Sequence, residues 1–206
     1  MKQAPSIPIS GERLTTDFYQ QATATVAKAL IGKAILHRVG AVWLGGWIVE
    51  TEAYLHVRDP ASHSARGLTA SNRSMFQAPG TLYVYPIHAK HCLNAVTESA
   101  GQGAAVLIRA IEPVWGTERM QSHRGPVNMR RLTAGPAMLC QALDIDRRDD
   151  GRSLTHDPDL GIFEASEVPP RAVATTRRIG ISKSAHRMLR FVDPQSPFLS
   201  RPYRKK

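Results

Sequence analysis

The residues whose types and spacing could support chemistry begin in the stretch IVETEAY, residues 48–54, where acids and a tyrosine alternate. Side chains two residues apart on a β-strand point to the same side of the sheet, so Glu50, Glu52 and Tyr54 are predicted to share a face. Core strands do not normally carry two acids on one face. A carboxylate enclosed there can act as a general base if something keeps it ionised, and Glu52 is the first candidate.

Arg109 is the predicted partner of this carboxylate, because it is the one charge in the apolar strand AAVLIRAI at 104–111. A buried charge without a partner is costly. An arginine beside Glu52 would lower the pKa of the carboxyl group and help to hold a water molecule. The alternative is a structural ion pair, with Glu50 as the other possible acid, and the residue pattern alone favours that alternative.

Three of the five tyrosines, Tyr54, Tyr83 and Tyr85, lie on predicted strands. They either pack a core or form flat walls around a planar ring, where stacking on a nucleobase is worth about 1–3 kcal/mol. His63 lies in the loop 56–80, and loops of that length inside a compact domain are usually functional. Its side chain either donates to a ligand or is simply solvated.

The net charge of the chain limits the classes of partner that it is expected to bind. The 206 residues carry a formal net charge of +10, which indicates either a solvated basic surface or a polyanionic partner such as nucleic acid. Basic clusters that could follow phosphates occur at 124, 130–131, 147–148, 177–178 and 183–190. No apolar run approaches the roughly 20 residues needed to cross a bilayer, so no membrane is expected. Two cysteines without a CxxC motif favour a reducing cytoplasm.

Metal chemistry is a weaker interpretation. The segment HAKHC at 88–92 contains possible ligands, but on a strand His88 and His91 would face opposite sides, and no second ligand pair accompanies them. Glu50 and Glu52 could hold magnesium in a nuclease if Asp59 supplied a third acid. A metal-dependent nuclease and a non-catalytic nucleic-acid-binding protein therefore remain as alternatives to a hydrolase without metal.

The hydrophobic pattern predicts an α+β fold with one mostly antiparallel sheet. A helix is expected from Thr16 or Asp17 to 30–31, and later helices at 115–123 and 136–143. Gly45–Gly46 is predicted to be a hairpin turn between two strands. Residues 144–171 are expected to be irregular, and 178–182 to form a last short strand.

Several motifs, in order, resemble one known family. They are IVETEAY (48–54), AxHSxRG (61–67), NRxMF (72–76), PGTLYVY (79–85), CLN (92–94), VLIRAxEP (106–113) and GPxxLCQAL (135–143). Together they resemble the alkyladenine (3-methyladenine, methylpurine) DNA glycosylase family, from about residue 17 to about residue 192.

The resemblance implies one mixed domain at 15–200, with a curved antiparallel sheet flanked by helices and a β-hairpin that inserts into DNA. A flexible segment 1–14 and a basic tail 201–206 would flank it. The expected activity is hydrolysis of the N-glycosidic bond of an alkylated or deaminated purine flipped out of double-stranded DNA. No metal, no cofactor and no lyase step are implied. A nucleoid-associated cytoplasmic enzyme acting as a monomer is expected.

The resemblance also assigns roles by position. Glu52 matches the base that activates water and Arg109 the arginine that positions it, while Glu50 is expected to be structural. The residues that match the base-binding pocket are Tyr54, His63, Tyr85, Asn94, which opposes the 2-amino group of guanine, Leu107 at the pocket floor, and Ile179 in a main-chain segment beside the water.

One departure concerns the hairpin. Where the family inserts a tyrosine into the DNA stack, this chain has His88, followed by Ala89–Lys90 in place of the common Gly-Met. Histidine is a smaller wedge and its charge titrates. Pro86, two residues earlier, could also reshape this hairpin.

Overall fold

One long strand carries the candidate residues and organises the sheet. In the computed structural model, which describes residues 5–164 and 171–204, this strand runs over Val42–Tyr54. Eight strands of the described residues form one antiparallel sheet. They are β1 (Ala34–Val39), β2 (Val42–Tyr54), β3 (Leu82–Ile87), β4 (Lys90–Val96), β5 (Ala105–Trp115), β6 (Leu160–Phe163), β7 (Ala174–Thr176) and β8 (Arg190–Val192).

The sheet runs in the order β3–β4–β5–β2–β1–β6, with β8 paired to β2 and β7 to β8. It is a curled, half-barrel sheet, so the predicted α+β class with a curved antiparallel sheet is confirmed. The α-helices of the described residues are α1 (Thr16–Tyr19), α2 (Thr23–Ala29), α3 (Thr117–Arg124) and α4 (Pro136–Leu143).

The two faces of the sheet have different neighbours, because strand side chains alternate. On β5, Val106 and Ile108 enter the main core together with residues of α2 and α4. On β3, Val84 belongs to that same core, whereas Tyr83 packs in a smaller cluster that also includes Tyr54 and Tyr85. The helices thus cover one face, and the aromatic candidates lie on the other.

The prediction of a turn at Gly45–Gly46 is wrong, because both residues lie inside β2. The chain turns instead at Gly40–Ala41, between the paired residues Val39 and Val42. A Cβ on Gly45 would meet the carbonyl oxygen of Ile35 at 2.2 Å. A Cβ on Gly46 would meet a β5 carbonyl oxygen at 1.9 Å. These glycines therefore permit close approach of neighbouring strands, which a two-residue glycine pattern does not distinguish from a turn.

The predicted opening helix is interrupted at Gln20–Ala22 and forms α1 and α2. The break lets the Glu98 carboxylate accept from the main-chain N–H of Thr23 at the start of α2, and from its hydroxyl as well. Glu98, which is distant in sequence, therefore caps α2. The local spacing of apolar residues does not predict this contact.

The other predictions are correct in part. Helix α4 has the predicted bounds, and α3 starts two residues later than expected because Trp115 still belongs to β5. The strand expected at 178–182 is wrong: the segment is irregular, and Gly180 has a φ of 74°. Strand β6 was missed within 144–171, of which residues 165–170 lie outside the described residues.

The ends of the chain were expected to be flexible or solvated. Residues 1–4 and 205–206 lie outside the described residues. The N-terminal segment contacts the sheet, since Arg13 Nη1 donates to the carbonyl of Leu160 at 2.6 Å and the main-chain N–H of Leu14 donates to the carbonyl of Ile162 at 2.9 Å, both on β6. None of the described helices has both the length and the apolar character needed to cross a membrane.

Candidate active site

Glu52 is fully buried and lies at the centre of a cradle of donors, in which Tyr54 and Ile179 are half-buried. Its Oε1 accepts the main-chain N–H of Ile179 at 2.7 Å. Its Oε2 accepts the hydroxyl of Tyr54 at 2.9 Å and Arg109 Nη1 at 3.3 Å. Glu52 is 0% exposed and Arg109 is 7% exposed. Since a carboxylate offers about four acceptor positions, three protein donors leave one position for a further hydrogen bond.

The acidity of Glu52 is set by a balance between burial and these donors. Burial raises the pKa of Glu52, and although Arg109, the Ile179 N–H and the Tyr54 hydroxyl favour the ionised form, the net pKa stays above the ordinary value. The lowering expected from Arg109 is therefore outweighed. A carboxylate whose pKa is raised in this way is a stronger general base when it is ionised.

Glu50 has a different set of partners, although it shares Arg109 with Glu52. Glu50 Oε1 accepts Arg109 Nε and Arg190 Nε, each at 2.8 Å. Ser200 donates to it twice, through its main-chain N–H at 2.6 Å and its hydroxyl at 2.7 Å. Burial works to raise the pKa of Glu50, but Arg109, Arg190 and Ser200 together hold it below the ordinary value.

An aromatic cavity adjoins this cradle and shares Tyr54 with it. The residues that line the cavity are Tyr54, His63, Met75, Tyr83, Tyr85 and Asn94. His63 Nδ1 lies 2.8 Å from the hydroxyl of Tyr83, and the His63 ring meets Tyr85 edge-on with centroids 4.5 Å apart. Burial, with a smaller contribution from Arg66, lowers the pKa of His63, which favours a neutral imidazole at neutral pH.

The cavity is nearly closed. Its volume is about 20 Å³, which is enough for about one water molecule but not for a purine. The rings that line it must therefore separate before a planar base can lie between them. His63 begins a short 3-10 helix, His63–Arg66, between β2 and β3, whereas Tyr83 and Tyr85 stand on β3.

The ring of Tyr54 packs against a buried ion pair between Arg178 and Asp59. The guanidinium of Arg178 lies 4.6 Å from the centroid of the Tyr54 ring. Arg178 forms a two-pronged salt bridge with Asp59, at 2.6 and 2.7 Å, and donates to the carbonyl of Ala53 at 2.9 Å. Because Arg178 directly precedes Ile179, the pair also ties down the segment whose N–H bonds Glu52.

Asn94 and Leu107 complete the predicted set. The Asn94 amide nitrogen donates to the carbonyl of Tyr83 at 3.0 Å, so the strand main chain fixes the orientation of the amide that reaches the cavity. Leu107 is buried and pairs in register with both Asn94 and Glu52. It is absent from the residues that line the cavity and lies between the cavity and the Glu52 cradle.

His88 lies at the tip of the hairpin formed by β3 and β4, away from the other candidates. With Ala89 it forms the turn between the paired Ile87 and Lys90. Its φ of 52° places it in the left-handed region, where histidine is one of the more tolerated residues. His88 and Ala89 are exposed, and so is the neighbouring Ile87, at 40%.

Only some of the basic clusters form an accessible surface. Arg178 and Arg190 are buried in ion pairs, and Arg147 and Arg148 pair with neighbouring aspartates. An open groove that continues from His63 is lined by Lys183, which belongs to a predicted cluster, and by Arg58 and Arg66, which belong to none. In the part of the chain that the structure describes, no salt bridge ties these three side chains to an acid. We call this surface, defined by Arg58, Arg66 and Lys183, the basic groove.

The acids named for a metal site do not converge. Glu50 and Glu52 face arginines, and Asp59 is engaged by Arg178. Across residues 5–164 and 171–204, no three His, Cys, Asp or Glu side chains are grouped so that they could hold a metal ion. The groups around Glu52 are hydrogen-bond donors, and such groups stabilise a carboxylate and do not coordinate a metal cation.

Sequence reasoning missed part of the site. Met75 and Tyr83 line the cavity, although the motif NRxMF gives Met75 no role and the strand position of Tyr83 fits a packed core equally well. The Arg178–Asp59 ion pair is not predicted, because Arg178 belongs to a basic cluster and such clusters are normally exposed. Its one sequence signal is its position, directly before the predicted Ile179 segment. Ser200 gave no signal, since a serine in a polar C-terminal segment is unremarkable.

Two comparisons with known proteins find similar sequences. The sequence model of one family, described as methylpurine-DNA glycosylase (MPG), matches residues 17–197. A protein of Rhodopirellula baltica is 54% identical over 187 residues, which cover 88% of this chain and 80% of the relative. A protein of Methanoculleus marisnigri is 44% identical over 191 residues, covering 91% and 98%. Both are named "Putative 3-methyladenine DNA glycosylase".

Proposed function

Because this chain belongs to the methylpurine-DNA glycosylase family, and is thus a DNA glycosylase, we propose that it excises alkylated or deaminated purines from duplex DNA. The proposed substrates are of the 3-methyladenine, 7-methylguanine, hypoxanthine and ethenoadenine class. The enzyme hydrolyses the N-glycosidic bond and leaves an abasic site in an unbroken strand. Water is the nucleophile, and the reaction has no lyase step.

The observation that carries this proposal is the contact between a buried carboxylate and an aromatic cavity. Tyr54 belongs to both: its hydroxyl donates to Glu52 and its ring lines the cavity. A purine held between Tyr54, His63 and Tyr85 would therefore present its sugar to Glu52. Each stacked base gains about 1–3 kcal/mol from aromatic walls, which offsets part of the few kcal/mol that flipping costs.

The chemistry follows from the cradle. Glu52 in its ionised form accepts a proton from a water molecule through the acceptor position that its protein donors leave open. The oxygen of that water bonds to C1′ of the sugar as the C1′–N bond breaks and the purine leaves with the bonding electrons. The sugar passes through an oxocarbenium-like state before the proton transfer is complete, while Glu52 still carries the negative charge that stabilises this state. Arg109 keeps the carboxylate oriented and supports its ionised form.

The choice of damaged over normal bases is proposed to begin with flipping. A weakly paired or damaged base costs least to unstack. A ring-alkylated purine is cationic while it is bonded to the sugar and leaves as a neutral base, whereas hypoxanthine and ethenoadenine are uncharged in DNA and need a proton from solvent to leave as neutral bases. Asn94, fixed by the Tyr83 carbonyl, is proposed to oppose the 2-amino group of normal guanine.

The DNA duplex is proposed to follow the basic groove, since Arg58, Arg66 and Lys183 lie beside His63 at the cavity. The hairpin tip at His88 is proposed to enter the space that the flipped nucleotide leaves. One pocket serves one nucleotide, so the enzyme is proposed to act as a monomer on the DNA of the cytoplasmic nucleoid.

The direct test is an excision assay with EDTA present. Duplex oligonucleotides carrying hypoxanthine, ethenoadenine or 7-methylguanine are incubated with the protein and then treated with hot alkali, which cleaves abasic sites. Strand cleavage should occur only after alkali. Glu52→Gln should abolish excision and retain duplex binding, whereas release of damaged purines by this variant at near wild-type rate would overturn the assignment. Scission without alkali that EDTA abolishes would indicate the nuclease.

A further inference from the structure

Ser200, near the end of the described chain, contacts both Glu50 and Arg109. The segment that follows β8 returns to the sheet, beginning with the main-chain N–H of Asp193, which donates to the carbonyl of Val49 at 2.9 Å. The segment ends against Glu50, where Ser200 supplies two hydrogen bonds. Ser200 lies beyond residues 17–197, so the family match assigns it nothing.

The hydroxyl of Ser200 also contacts the guanidinium that faces Glu52. Arg109 Nη2 donates to Ser200 Oγ at 3.2 Å, while Arg109 Nε donates to Glu50 at 2.8 Å. These two contacts fix the Nε and Nη2 nitrogens of the planar guanidinium. The remaining nitrogen, Nη1, is then directed at Glu52 Oε2. A guanidinium is rigid and planar, so fixing two nitrogens fixes the third.

The charges support the same division of roles. Glu50 and Glu52 bring two negative charges, and Arg109 and Arg190 bring two positive charges. Arg190 lies on Glu50 and donates its Nη2 to the carbonyl of Arg201 at 2.8 Å. Since Arg190 and Ser200 satisfy Glu50, Arg109 retains a nitrogen for Glu52.

We propose that Ser200 and Glu50 are positioning residues that hold Arg109 against Glu52, and that Ser200, at the end of the segment that follows β8, is therefore part of the active site. The proposal rests on the proposed function for its effect on excision, but its effect on Glu52 itself is independent of substrate. Neither Ser200 nor Glu50 is required to touch DNA.

The proposal predicts how Ser200→Ala alters turnover. Arg109 loses the acceptor for its Nη2 and Glu50 loses one donor, so the rate of excision in single turnover should fall roughly tenfold, the size expected for one hydrogen bond to a charged group. Duplex affinity should stay within about twofold, since Ser200 lies outside the proposed DNA contacts. Ser200→Thr keeps a hydroxyl and should recover most of the rate.

The titration of Glu52 gives a readout that a merely structural role would not move. The groups that face its carboxylate are Arg109 from β5, Tyr54 and Glu50 from β2, Cys92 from β4 and the Ile179 N–H. A less firmly held Arg109 favours the ionised form less, so the midpoint of a ¹³C carboxyl titration of Glu52 should move to higher pH in Ser200→Ala.

Ser196→Ala is the matched control. It removes a hydroxyl from the same segment, where Ser196 Oγ accepts the main-chain N–H of Phe198, and it should change neither the rate nor the titration. A second comparison removes residues 203–206, which leaves Ser200 and Arg201 in place and should also preserve both readouts.

The outcomes separate the two proposals. An unchanged Glu52 midpoint in Ser200→Ala, or an unchanged excision rate in an active enzyme, would overturn the positioning role. A shifted midpoint in a protein that excises none of the tested purines would support the positioning role and reject the proposed function. Failure of Ser200→Thr to recover the rate would also count against the role of the hydroxyl.

Discussion

The main-chain N–H of Ile179 lies 2.7 Å from Glu52 Oε1, although 127 residues separate the two in sequence. A main-chain donor survives most substitutions of its own side chain. Ile179→Pro removes the N–H and should slow excision about 10- to 100-fold, as expected for one lost hydrogen bond to a charged group. Ile179→Ala keeps the N–H and should remain close to wild type, so single-turnover rates of the pair isolate the hydrogen bond. Equal rates for the two variants would contradict this role.

Excision should depend on pH through Glu52. The pKa of Glu52 is raised by burial, despite Arg109, the Ile179 N–H and Tyr54, and only the ionised form can accept a proton from water. The rate should therefore fall tenfold per pH unit below the raised pKa and level off above it. The midpoint should lie above 4.5, the ordinary value. 7-Methylguanine is a suitable substrate because the bonded base is already cationic and leaves as a neutral purine without gaining a proton. A rate that stays level down to pH 4.5 would contradict the raised pKa.

Alternation along strands was the most useful sequence signal. It correctly predicted that Glu52 and Tyr54 come together, because strand pleating is a local property. The same local reasoning failed at Gly45–Gly46, where glycine is needed for contact with Ile35 and β5 and not for a turn. It failed again at Thr23, whose helix start depends on Glu98, 75 residues away.

The parts of the site that escaped prediction are those made by distant segments. Ser200 contacts Glu50 across 150 residues and Arg178 contacts Asp59 across 119. Neither contact has a period or a spacing in the sequence. The strand predicted at 178–182 does not form, and the N–H of Ile179 is directed at a side chain and not at a neighbouring strand.

Loss of the Arg178 guanidinium should destabilise the fold. Both side chains of the Arg178–Asp59 pair are 0% exposed, and removing one partner of a buried pair costs about 3–5 kcal/mol, because the other charge stays buried. Arg178→Met should lower the free energy of unfolding by that amount in urea titrations. The double variant Arg178→Met/Asp59→Asn should lose less than the sum of the single variants, and simple additivity would show that the pair is not coupled.

The hairpin tip should affect the rate of excision from duplex DNA and not the rate from single strands. His88 lies exposed at the β3–β4 turn, and its proposed role is to fill the gap in the stack. His88→Ala should therefore slow excision from a duplex, while excision of the same lesion from a single strand should stay unchanged, since no stacked partner has to be replaced. His156→Ala, at another exposed histidine, is the control. An equal loss on both substrates would place His88 elsewhere in the reaction.

The basic groove should set the salt dependence of binding. Each phosphate neutralised by a protein cation contributes about 0.9 to the slope of log K against log salt concentration. Replacing Arg58, Arg66 and Lys183 by alanine, one at a time, should each lower that slope by about one and weaken binding equally for damaged and undamaged duplexes. Arg148 is also exposed but is paired with Asp146, so Arg148→Ala should leave the slope unchanged. Because undamaged DNA binds through phosphates alone, a loss confined to damaged duplexes would instead place these cations at the flipped base.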